Sequence, residues 1–166
     1  MDVTEALAAM NRRIREVEDK LAILQVVAGY GPSVDGGAAA EAGALWTEGS
    51  WYDTDASPGA SVPHGRAGIE GAARRFLEEP VGIAHISHLP LIKVDGDRAT
   101  VVNHSNTFDQ DGDDFRVGRV SANRWELVRI DGTWQIERRV NRLLNGSRES
   151  KDVLGDGTRE VLGETS

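Results

Sequence analysis

The stretch LIKVDGDRATVVNHSNTF, residues 91–108, decides how this chain is read. β-Branched and aromatic residues crowd both of its ends, and the Asp95-Gly96-Asp97 between them is a turn of the kind that joins antiparallel neighbours. The same pattern recurs toward the C-terminus. Phe115 to Ile130 and Trp134 to Leu144 have strand composition, bounded by Asp111-Gly112-Asp113 and Asp131-Gly132. With Ile83 to Val94 as one strand and Ala99 to Phe108 as the next, the second half is predicted to be a four-stranded antiparallel meander.

Working backward from the meander, the period changes. From Val3 to about Val34, Leu7, Met10, Ile14, Val17, Leu21, Leu24 and Val27 recur at steps of three and four, the stripe of one long amphipathic helix or of two broken near Glu18. Gly31-Pro32 is expected to interrupt it, because proline lacks the N–H an inner turn requires. A short helix should run from Ala38 to Trp46, a first strand from Ser50 to Thr54, and a third helix from Ala67 to Leu77, ended by Pro80. The Gly/Pro/Ser-rich stretch from Asp55 to Pro63 reads as a loop, with His64 at its end. Helices followed by a long meander make an α+β domain in which the helices cover one face of the sheet. Such a strongly twisted sheet curls, so the expected shape is a cone-shaped barrel of curved antiparallel sheet packed against N-terminal helices, with a hollow between. This domain should span residues 1–144. The polar, Gly-rich segment 145–166 is expected to be a tail, mobile or packed on a neighbouring subunit.

Composition narrows the function classes. The chain has 166 residues, enough for one domain and one principal site. No apolar run nears the ~20 residues that cross a bilayer, and the N-terminus lacks the order of a secretory signal, so a cytoplasmic protein without a membrane partner is expected. There is no cysteine, which excludes disulfides, thiolate metal sites and cysteine nucleophiles. A net charge of -8 argues against nucleic acid as a partner. The four histidines lie in no metal-like spacing, and no glycine-rich phosphate loop is present, so neither a metal nor another cofactor is expected.

Several motifs, in order, resemble the SnoaL-like branch of the nuclear transport factor 2-like superfamily. Glu18-Asp19-Lys20-Leu21-Ala22-Ile23, running through Tyr30 to Asp35, is similar to the family's opening helix. His85-Ile86-Ser87-His88 leading into Leu91 to Ala99 resembles its histidine strand, and Asp131-Gly132-Thr133-Trp134-Gln135-Ile136 its last hairpin. The likeness covers roughly residues 15 to 144. It implies a pocket for a small molecule. Members include dehydratases, dehydrohalogenases, steroid isomerases and polyketide cyclases, and also proteins without known activity.

The resemblance implies that His85 is a general base and Asp35 its orienter, since the eliminating members use such a pair. The chemistry suits it: a carboxylate on one ring nitrogen fixes the tautomer and stabilises the imidazolium that forms. Asp35 is equally suited to capping a helix that starts near Gly36. His88, three residues on, should point to the opposite face. His104 is the second candidate histidine, with Asn106 and Phe108 on its face, or else a hydrogen-bonded sheet residue. Alternation along the last strand puts Arg142 with Trp134, Ile136 and Val140 on the cavity side. A guanidinium there would meet a substrate's developing negative charge, or bridge to Asp35 or Glu41. Tyr30 and Tyr52 stand where related dehydratases place carbonyl-polarising tyrosines, and each is also a plausible core filler. Tyr52, Asn106, Phe108 and Trp134 complete the candidate pocket wall.

Together these point to a cofactor-independent lyase or isomerase acting on a mostly apolar, ring-sized molecule. The alternative is a non-catalytic binding or association domain of the same fold. A homo-oligomer, trimer or dimer, is expected, paired through the apolar residues of the uncovered sheet face.

Overall fold

The computed structural model describes residues 2–55, 65–78 and 82–163. His64, Pro80 and most of the loop from Asp55 to Pro63 lie outside the described residues. The elements, in chain order, are α1 (Val3–Asp35), α2 (Ala39–Ala44), β1 (Trp46–Thr54), α3 (Gly65–Glu78), β2 (Ile83–Ser87), β3 (Leu91–Asp95), β4 (Arg98–Asp111), β5 (Asp114–Ile130), β6 (Thr133–Leu143) and α4 (Arg148–Leu162). The fold is α+β, as the period change in the sequence implies.

β4, β5 and β6 form the expected meander, each pair antiparallel. The glycines of its tight turns, Gly96, Gly112 and Gly132, all have positive φ, a region that costs a side chain energy and glycine little. The stretch expected as one strand from Ile83 to Val94 is two. β2 pairs with the far end of β4 and β3 with its near end, and the break falls at Leu89-Pro90, where proline has no N–H to give. β1 is the other departure from a meander. It lies parallel to β6, giving the order β1-β6-β5-β4-β2 with β3 also on β4. The curved sheet is therefore open rather than a closed barrel.

α1 runs through Pro32 instead of stopping at it. An interior proline costs a helix about 3 kcal/mol. Here the Ser33 hydroxyl donates to the Gly29 and Tyr30 carbonyls, and burial of Tyr30, Gly31 and Val34 against the body offsets the remainder. Packing overrides propensity, and the continued turn is what carries Asp35 to the sheet. The core lies between α1, α2, α3 and the inner face of the sheet, around Ile23, Val27, Trp46, Ile69, Trp125 and Ile136.

The segment after Asn145 is not a bare tail. Ser147 caps α4 by accepting from the Ser150 N–H, and the helix lies across the outer face of the sheet. Glu160 accepts from Thr100 and Arg124 there, and Gly157 comes so near Val102 that a methyl group on it would overlap that side chain. The two glycines inside α4 lower helix propensity and hid it from the sequence reading, yet one of them is what permits docking. Among the described residues, no helix is long and apolar enough to cross a membrane.

Candidate active site

Two β-bulges set which side chains enter the hollow. Along β6, Trp134 and Ile136 face inward, and Leu127 and Glu126 of β5 pair with Ile136 and Arg138, so Glu137 is an extra residue. The bulge reverses alternation beyond it. Arg139 and Asn141 then turn in, and Arg142 turns out. On β5, Gly118 is extra opposite Thr107 and Phe108, and beyond it Arg119, Ser121 and Asn123 face the hollow.

Asp35 is the last residue of α1, and Ala38 rather than Asp35 caps α2. Its carboxylate is given wholly to His85: Oδ2 accepts the His85 backbone N–H at 2.6 Å, and Oδ1 meets ring Nδ1. Both side chains are about three-quarters buried. An acidic partner on Nδ1 makes that nitrogen the protonated one and leaves Nε2 as the basic atom. Gly31 makes the approach possible, since any Cβ there would overlap the His85 carbonyl oxygen. The ring is braced edge-on by Phe76 and Tyr30.

Beside the dyad lies a cavity of about 100 Å³, lined by Tyr30, Tyr52, Ser105, Ser121, Arg139 and Asn141 among others. Most of its lining residues carry polar groups, with Ile86 the one aliphatic residue. Where many aliphatic side chains are expected, the rings of Tyr30 and Tyr52 supply apolar surface instead. Arg139 dominates it. The residue is 3% exposed, and its Cζ stands 4.6, 4.8 and 4.0 Å from the ring centres of Tyr30, Tyr52 and Trp125. Asn123 Oδ1 accepts from Nε and Nη2 at 3.1 and 2.8 Å, and no carboxylate among the described residues pairs with it. Aromatic faces and an amide dipole hold the charge without neutralising it. Nη1 and Ser50 Oγ are buried, and among the described residues neither has a hydrogen-bond partner. Burying a cation costs several kcal/mol, and a free donor on it leaves capacity for an oxygen carrying negative charge. Burial also pushes the Tyr30 hydroxyl above its ordinary value, with the neighbouring Tyr52 adding to it, so this phenol stays protonated and remains a donor.

Of the residues singled out in the sequence, Asp35, His85, Tyr30, Tyr52 and Asn106 come together here. The others do not. Arg142 is on the outer side of the bulge, paired with Asp53 at 2.9 Å and with Glu149, and these two carboxylates raise its pKa; it bridges neither Asp35 nor Glu41. His104 is exposed, because it alternates with Asn103 and Ser105, which face inward. His88 is exposed as expected and contacts the Asn106 amide oxygen. Trp134 lies at the far end of the core, where its Nε1 donates to Asp19, and Phe108 is not in the lining. Arg139 was missed, and the cue to it was slight: Glu137-Arg138-Arg139 puts three charges in a row on a strand, which strict alternation cannot keep out of the core. Among the described residues, no group of three His, Asp or Glu side chains is placed to hold a metal ion.

Comparison with known proteins agrees with this architecture. An NTF2-like protein of cystatin-like fold from Novosphingobium aromaticivorans is 34% identical, with a TM-score of 0.78 over 92% of this chain and 97% of that one. A variant of Rv3472, a protein of unknown function from Mycobacterium tuberculosis, is 20% identical, with a TM-score of 0.68 over 92% and 94% of the two chains. A protein provisionally assigned as a scytalone dehydratase, also from Novosphingobium aromaticivorans, is 19% identical, with a TM-score of 0.63 over 77% and 85%. No protein of curated function matches the sequence. The SnoaL-like domain model matches residues 15–140, three-quarters of the chain, and by that match the chain belongs to the SnoaL-like family.

Proposed function

We propose that the protein is a cofactor-independent lyase or isomerase of the dehydratase type in which His85 is the general base. The observation that carries the reading is the double hold of one carboxylate, Asp35, on the His85 amide and on Nδ1, which aims a basic Nε2 at a cavity containing an unneutralised cation. Nε2 takes a proton from a carbon next to a carbonyl, and the C–H electron pair moves toward the oxygen. Arg139, with the protonated Tyr30 and with Tyr52, stabilises the enolate that forms. From it a β-hydroxyl departs with the proton now on His85, leaving as water, or the proton returns to a different carbon. The first outcome is dehydration and the second isomerisation. The polar lining favours a small oxygen-bearing molecule over a wholly apolar one.

The test is proton exchange. Small cyclic ketones and β-hydroxy ketones incubated with the protein in D2O should lose α-proton signal by NMR, and the hydroxy ketones should gain enone absorbance. His85→Ala should abolish both while leaving ligand affinity within a few-fold, and Asp35→Asn added to it should cost little more, because the two act as one unit. Ligands that bind without exchange would refute the enzyme reading and leave a binding module of the same fold.

A further inference from the structure

The first five turns of α1 carry an apolar stripe that none of the described residues covers. Leu7, Met10, Ile14, Val17 and Leu21 are each between 48% and 57% exposed, large values for such side chains. The face that α1 buries on its own domain, Ile23, Val26, Val27, Tyr30 and Val34, lies on the opposite side of the helix. From Leu7 to Leu24 the stripe advances by steps of three, four, three, four and three. That is a heptad repeat with Leu7, Ile14 and Leu21 at a and Met10, Val17 and Leu24 at d, the seam of a coiled coil.

The charges beside the seam identify its occupant. In this register Arg13 and Lys20 fall at g, and Glu18 at e. A parallel pair brings each g residue to the e residue five places on in the other helix, which sets Arg13 against Glu18 of a second copy, twice by symmetry. An antiparallel pair would instead bring the g positions, Arg13 and Lys20, near one another. A lipid surface fits poorly, because Asp2, Glu5, Glu16, Glu18 and Asp19 balance Arg12, Arg13, Arg15 and Lys20 where a membrane helix would be basic. We infer that α1 pairs in parallel with α1 of a second copy of this chain, through the heptad seam of residues 7 to 24. From Leu7 to Leu21 each domain sits on the far side of its own helix from the seam, so neither body obstructs the partner there, and the seam ends at Leu24, which is half-buried beside Leu89 and Pro90. The cavity mouth stays free, and the outer sheet face, which the sequence reading chose as the interface, is partly covered by α4.

Sedimentation equilibrium of the full chain should give about twice the 18.0 kDa monomer mass at micromolar concentration. Met10→Glu/Ile14→Glu should return it to a monomer with its thermal transition retained, since both sites lie outside the domain core. Arg13→Glu and Glu18→Arg should each weaken the dimer on the order of tenfold, and the two together should restore it. The chain has no cysteine, so Met10→Cys alone should oxidise to a covalent dimer while Glu16→Cys, off the seam, should not. A wild-type monomer at tens of micromolar, a dimer that survives the double Glu variant, or a charge swap that does not restore pairing would each overturn the inference. So would pelleting with phosphatidylserine vesicles that the double Glu variant abolishes.

Discussion

Gly31→Ala should loosen the dyad without substituting either of its members. The added methyl would overlap the His85 carbonyl oxygen and stand 3.2 Å from the carbonyl carbon. A non-bonded carbon keeps about 3.3 Å from an oxygen, so α1 and β2 must part by about 1 Å. Asp35 is one turn further along the same face of α1, and the same displacement would stretch its 2.6 Å bond to the His85 amide to about 3.6 Å, beyond hydrogen-bonding range. Loss of one charge-assisted bond costs about 1.5–3 kcal/mol, against which alanine's better helix propensity returns about 1 kcal/mol. The net is about 0.5–2 kcal/mol, a fall in Tm of roughly 1–8 °C for a chain of this size. Turnover should fall on the order of 100-fold, the usual consequence of a 1 Å misplacement. Differential scanning calorimetry reads the first effect. The second is read by the exchange assay, or without any substrate by loss of the downfield Nδ1–H proton resonance of His85. A variant as stable as the parent, with that resonance unchanged, would refute the idea that Gly31 sets the Asp35–His85 distance.

The two arginines of β6 should separate cleanly. Arg139→Met keeps packing against Tyr30, Tyr52 and Trp125 while removing an uncompensated charge, so stability should change by less than about 1 kcal/mol, while affinity for anionic or enolate-like ligands drops about tenfold or more by calorimetric titration. Arg142→Met should do the reverse, costing about 1–2 kcal/mol in urea unfolding through its lost Asp53 pair and leaving ligand affinity unchanged. The hydrogen bond from Arg124 holds the Glu160 carboxyl below its ordinary value, against the opposing effect of burial and with help from Thr100. A depressed folded-state pKa stabilises above the unfolded value and that stability is lost as pH falls through the folded one, so α4 should loosen in acid. Urea midpoints should therefore decline below about pH 4.5, and Glu160→Gln should flatten part of that decline; an unchanged slope would remove Glu160 from the account.

How much of this was written in the sequence differs from element to element. Strand composition and Asp-Gly turns announced the meander, because both are local: a β-branched side chain and a positive-φ glycine act within a few residues. The Asp35–His85 pair was legible through its family motif, and the fold joins the two across 50 residues of chain. Pro32 misled because its local cost is real, and only packing of the last turn of α1 outweighs it. α4 was hidden by glycines whose use appears only once Val102 stands opposite Gly157.

The identity of the cavity arginine was decided by tertiary structure alone. Period-two alternation from Trp134 and Ile136 puts Arg142 inside, and one extra residue at Glu137 reverses every side chain after it, delivering Arg139 instead. A bulge is a property of two strands in register, not of either one, so no reading of β6 by itself could have placed it. The sequence thus determined the fold class, the sheet's meander and the pairing of Asp35 with His85, which rest on local preference and motif. The fold decided which cation and which polar groups share the dyad's cavity, because facing is set by how neighbouring strands pair.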